Sequence, residues 1–228
     1  MSVDQIKHRI TRAFAQYLRA PLTEARRALS SVNGGGKIYE AYVLSLLARD
    51  LTRLENCELT LVAGTRFNLR TSHGATNPAY SRIIVKRQNN VIGEIWTDIE
   101  FTSLSYYRDP QNSIRLGTRP PPGSRHELDI LMTSQNPYNY PTPDQILIGV
   151  ECKNTVYQKR MLREILGVRR ELSYFSKPMP AAFIAWPRAT VPAHPPSCLL
   201  VYSSDPSICT FTNPPNDTFG IDFFHEPI

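Results

Sequence analysis

The chain has 228 residues, 41% hydrophobic, 20% charged and 10% aromatic, with 26 Lys and Arg against 20 Asp and Glu for a formal charge of +6. These proportions exclude a collagen-like repeat and a disordered chain, and the length suits one decorated domain. No window nears the roughly 18 apolar residues of a membrane span, and the opening MSVDQIKHRITRAF lacks the apolar core of a secretory signal, so a cytoplasmic protein without membrane contact is expected.

Val3, Ile6, Ile10, Phe14 and Tyr17 recur at helical spacing over 3–19, and 21–29 reads as a second short helix. The run Ser30 to Gly36 ends in three glycines and is expected to be non-helical, a hinge between a helical arm (1–35) and the core. Residues 37–54 return to helical spacing through Ile38, Tyr42, Leu46, Leu47 and Leu51, and 58–63 reads as a strand. Strands at 83–87 and 91–103 flank Gln88-Asn89-Asn90 as a hairpin within an insertion spanning 67–124. Strands at 126–132 and 146–153, a helix over 155–174 and a buried strand over 181–186 complete a core of 36–186. Eight prolines lie among residues 187–228, so this extension is expected to wrap over the core, with one strand at 199–202. The order predicts a single α/β domain, a mixed sheet flanked by helices.

Two strands carry the chemistry, HELDILM (126–132) and ILIGVECKN (146–154). Side chains alternate along a strand. With Leu128, Ile130 and Met132 in the core, Asp129 is expected on the opposite face, with Glu127 beside it. With Ile148, Val150 and Cys152 inside, Glu151 and Lys153 point the other way together. Carboxylates facing out of apolar strands are costly unless solvated, paired or metal-bound, and a divalent ion relieves their repulsion. A neighbouring lysine can orient water or neutralise charge on a phosphate. The four cysteines form neither a C-x-x-C pair nor a zinc-spaced cluster, so zinc is not expected. The glycines before Lys37 lack the spacing of a phosphate loop.

This pattern resembles the PD-(D/E)xK nuclease superfamily, with its restriction-endonuclease-like core. The matching positions are Glu40 in GGKIYEAYVLSLLARDL, Asp129 in HELDIL, and Glu151 and Lys153 in GVECKN. Leu128 stands where the motif has proline. The resemblance implies catalytic roles for Glu40, Asp129, Glu151 and Lys153. Mg²⁺ or Mn²⁺ would be held by Asp129, Glu151 and the Cys152 carbonyl, with Glu40 reaching it through water. It implies an endonuclease cutting DNA phosphodiester bonds, with RNA as the alternative substrate and bacterial defence or a mobile element as the setting. Double-strand cleavage would need a homodimer or a partner subunit, and a regulatory protein partner is expected because an unrestrained intracellular nuclease is toxic. The basic residues Lys159, Arg160, Arg163 and Arg170 on the last core helix, with Lys86 and Arg87 on the hairpin, are the candidate nucleic-acid contacts. The competing reading is a catalytically inactive nucleic-acid-binding or assembly subunit.

Overall fold

A computed structural model describes residues 2–115 and 117–228. The helices are α1 (Val3–Tyr17), α2 (Leu22–Ala28), α3 (Gly35–Leu54), α4 (Leu104–Arg108), α5 (Lys159–Leu172) and α6 (Pro215–Phe219). The strands are β1 (Glu58–Val62), β2 (Arg82–Arg87), β3 (Asn90–Thr102), β4 (Arg125–Thr133), β5 (Ile146–Lys153), β6 (Tyr174–Pro180), β7 (Thr190–His194), β8 (Cys198–Ser203) and β9 (Ile221–His225). Seven strands form one mixed sheet in the order β1-β2-β3-β4-β5-β8-β9; β6 and β7 pair separately. The first five neighbours run antiparallel, and β8 and β9 join β5 in parallel.

The sheet has a core on each face. Ile130, Met132, Ile148, Val150, Leu200 and Tyr202 pack with α1, α2 and α3. Leu131, Leu199 and Val201 pack with Met161, Ile165 and Leu172 of α5. The α/β expectation holds in this layered form.

Four boundaries differ from the sequence reading. The N-terminal segment is not a separate arm, because Ile6, Ile10, Phe14, Ala25 and Ala28 belong to the same core as α3. Gly35 and Gly36 form the first turn of α3: the chain reverses at Gly34, whose φ of 82° suits a residue without Cβ, and the helix starts directly after it. The β2–β3 hairpin is built into the sheet as its second and third strands, paired to β1 and β4. The extension after 187 supplies β8 and β9 rather than an extended wrap, and β8 lies beside β5.

The apolar run 181–186 is not a strand. Its Ile184, Ala185 and Trp186 amides donate to the buried Glu55 carboxylate, two of them at 2.8 and 2.7 Å, so a side chain takes the place of a ladder. Helix α5 begins only at Lys159, four residues later than expected, because the Tyr157 amide donates to Asp205 at 2.7 Å and holds the preceding segment extended. Among the described residues no helix is long and apolar enough to cross a membrane.

Candidate metal centre

The alternation that the sequence suggests for β4 breaks at one point. Leu128 belongs to the α5-side core, whereas Ile130 and Met132 belong to the α3-side core. Its partner β3 breaks at the matching place: Trp96 and Ile99 both lie on the α5 side. The pairs Thr97–Ile130 and Ile99–Leu128 bracket the break, so Asp98 and Asp129 stand opposite each other at it. Asp98 has φ 54°, a left-handed conformation that aspartate tolerates better than most residues. Gly149 makes the crossing of Leu128 possible, since a Cβ there would lie 2.7 Å from Leu128 Cδ1.

The consequence is that both aspartates turn toward α3. Glu40, Asp98 and Asp129 each offer a carboxylate oxygen, all within 4.8 Å of one another, and this trio can hold a metal ion. Sequence reasoning misses Asp98, although it sits in the apolar strand VIGEIWTDIEFT and satisfies the argument applied to Asp129. Lys37, one turn before Glu40, lies 2.7 Å from Glu40 Oε2 and 2.5 Å from Asp98 Oδ1. His73, uninformative in sequence, places Nδ1 2.8 Å from Glu127 Oε2 and 3.8 Å from Asp98 Oδ1.

Glu151 and Lys153 approach from elsewhere. Glu151 pairs with Val201, a residue of the α5-side core, so its side chain leaves the opposite face of the sheet. The β4–β5 ladder stops at Ile130–Val150, and in the notch beyond it Asp129 Oδ2 accepts from the Cys152 amide at 2.7 Å. Lys153 Nζ donates to Glu151 Oε2 at 2.8 Å. Asp98 thus joins Glu40 and Asp129 in a carboxylate trio, with Glu151 close enough for the Asp129 charge to raise its carboxyl. Asn154 then ties the layers together, its Nδ2 donating to the Gly35 carbonyl at the start of α3 at 3.1 Å.

Crowding sets the electrostatics. Burial, then the Asp129 charge, pushes the Glu40 carboxyl up to about 7. Burial and Asp129 do the same to Glu151, also to about 7. Burial raises Asp129 too, against the Cys152 amide that stabilises its anion. Burial alone would lower Lys37, but its hydrogen bonds to Asp98 and Glu40 outweigh it and hold the ammonium above its ordinary value. Fully ionised, four carboxylates (40, 98, 129, 151) face two ammonium groups (37, 153), leaving two negative charges, which one divalent ion neutralises.

The donor set also fits such an ion. Asp98 is 1% exposed and its Oδ2 is buried without a hydrogen-bond partner among the described residues, as a ligand oxygen awaiting a cation would be. Octahedral oxygens around Mg²⁺ at about 2.1 Å lie roughly 3–4 Å apart, so a side-chain adjustment below about 1 Å closes the trio onto it.

The basic residues divide. Lys159, Arg160, Arg163 and Arg170 are exposed on α5. At 100° per residue they fall within an arc of about 100°, opposite the buried Met161, Ile165 and Leu172. Arg87 instead donates to Glu55 and the Ala182 carbonyl, both at 2.9 Å. Lys86 and Arg87 pair with Val91 and Asn90, about seven residues or more along β3 from Asp98, which is ~20 Å at strand rise. They lie at the far end of the sheet from the acidic trio.

No family model, curated protein or solved structure matches this chain.

Proposed function

We propose that this protein is a Mg²⁺- or Mn²⁺-dependent nuclease with a restriction-endonuclease-like core of the PD-(D/E)xK kind, hydrolysing DNA phosphodiester bonds. The observation that carries the reading is the meeting of Glu40, Asp98 and Asp129 at the notch where β5 ends in Glu151 and Lys153. Glu40 stands on a helix, Asp129 on one strand and Glu151-Cys152-Lys153 on its neighbour, the arrangement that the motif implies.

A divalent ion at the trio would supply Lewis acidity toward a phosphoryl oxygen. The chain's own residues do the rest. Glu151 fixes the Lys153 ammonium, which can hold a water or meet negative charge developing on the phosphate. The α5 stripe of Lys159, Arg160, Arg163 and Arg170 offers sequence-independent contacts to the phosphate backbone. Concerted cleavage of both strands would bring two such centres together, in a homodimer or with a partner subunit.

One observation favours the second reading, an inactive nucleic-acid-binding subunit: the Lys37 ammonium already bridges Glu40 and Asp98 and offsets one of their two charges. Incubation of purified protein with plasmid and linear DNA in Mg²⁺ or Mn²⁺ separates the two. Metal-dependent cleavage that falls by several orders of magnitude in the double variant Glu151→Ala, Lys153→Ala supports the nuclease. Equal cleavage by both proteins, or none by either, overturns it, and binding that persists in EDTA then favours the inactive subunit.

A further inference from the structure

A cavity of about 570 Å³ opens at the C-terminal end of α5, between that helix, the β6–β7 ribbon and α6. Helix α5 has 14 residues, ~20 Å at 1.5 Å per residue, so the cavity lies a helix length from the Lys153 end. It is lined by Arg169 and Ser173, each 4% exposed, and by the aromatic residues Tyr174, Phe175 and Phe219.

Arg169 is a buried cation whose hydrogen bonds, among the described residues, all go to neutral groups. Its Nε donates to the Phe219 carbonyl at 2.9 Å, and its Nη1 donates to the Ser197 carbonyl at 2.8 Å and to Ser197 Oγ at 3.2 Å. Among the described residues Nη2 has no hydrogen-bond partner, nor has Ser173 Oγ. No acidic residue lines the cavity among the described residues. Arg170, on the same wall, is exposed and makes no hydrogen bond or ion pair among them. Burial pulls the Arg169 guanidinium down to about 10, against a smaller upward pull that includes the Asp222 charge.

A buried cation that lacks an anion is costly, and leaving donors unmet adds to the cost. Beside these donors Phe175 is 68% exposed, an aromatic ring with nothing over it. An inorganic anion would satisfy the first feature and leave the ring bare; a neutral apolar molecule would do the reverse. We propose that this cavity binds a small organic carboxylate with an aromatic or aliphatic body, its carboxylate paired with Arg169 and Ser173 and its body against Phe175.

Calorimetric titration of the full chain with 4-phenylbutyrate, 4-phenylbutanamide and inorganic phosphate tests this. Saturable single-site binding of the acid is expected, with the amide at least about tenfold weaker, since a hydrogen bond to a charged group accounts for that much. Phe175→Asp, at an exposed position, is expected to weaken the acid at least about tenfold while leaving the thermal unfolding curve unchanged. Three results would each overturn the proposal: no saturation by about 10 mM acid, equal affinity for acid and amide, or undiminished binding by the folded Phe175→Asp protein. Phosphate binding as tightly as the acid would equally refute the apolar body. The titration involves neither metal nor DNA, so its outcome is independent of the nuclease reading.

Discussion

Asp98→Asn removes one negative charge from the trio while keeping the shape of the side chain. Its Oδ1 holds Lys37 at 2.5 Å, and its buried Oδ2 has no hydrogen-bond partner among the described residues. In metal-free protein the loss is cushioned, because Lys37 keeps Glu40 at 2.7 Å and the mutual repulsion of the carboxylates falls. The effect should appear in metal binding. Altering residues that merely support a metal ligand costs about 10–100-fold in affinity, so a direct ligand should cost at least about a hundredfold. With Mg²⁺ at 100 times its Kd, the wild type gains about 2.7 kcal/mol, whereas a hundredfold weaker variant gains ~0.4 kcal/mol. For a domain of this size each kcal/mol moves Tm by about 2–4 °C, so the shift on adding metal falls from about 5–10 °C to ~1 °C. Thermal unfolding by circular dichroism at pH 8, with EDTA and then with Mg²⁺ or Mn²⁺, reads this directly. The same metal-induced shift in both proteins, or none in the wild type, would refute the assignment of the trio as a cation site.

Metal-free protein should lose stability as pH rises from about 4.5 to 7. Glu40 and Glu151 are raised in the folded state to about 7 from an ordinary value of 4.5, so across this window the folded state holds more protons than the unfolded one and deprotonation disfavours it. A urea midpoint in EDTA that rises over this range would contradict the argument, and Glu40→Gln should flatten the slope. Glu55→Ala should cost about 3–5 kcal/mol in urea unfolding, because it strips Arg87 of its buried partner and leaves the amides of 184–186 unpaired; a loss below about 1 kcal/mol would refute that role. If α5 contacts DNA, Lys159→Glu with Arg163→Glu should weaken binding regardless of sequence and reduce the slope of log K against log salt by about 0.9 for each phosphate no longer neutralised, whereas an unchanged slope places the backbone elsewhere.

Much of the site is legible in local pattern. A charged residue out of place in an apolar strand is conspicuous, and that signal marks Asp129, Glu151 and Lys153. Asp98 obeys the same rule but is camouflaged, because its neighbours Glu94 and Glu100 make β3 look like an ordinary two-faced strand. Helical spacing places Lys37 one turn from Glu40, but its second partner, Asp98, is 61 residues away. His73 carries no signal at all, since a loop histidine gains meaning only from what folds against it.

The amphipathic spacing of α1, α3 and α5 and the apolar β4 and β5 were determined by the sequence alone, because each needs only the chain's own periodicity to declare a buried face. Which face a carboxylate took was decided by tertiary structure. The reversal at Asp98 and the passage of Leu128 over Gly149 turn Asp129 to the side opposite that dictated by strict alternation. The proline-rich tail became sheet for a related reason: β5 had an open edge, and an unpaired row of amides and carbonyls is satisfied by whichever distant segment can reach it.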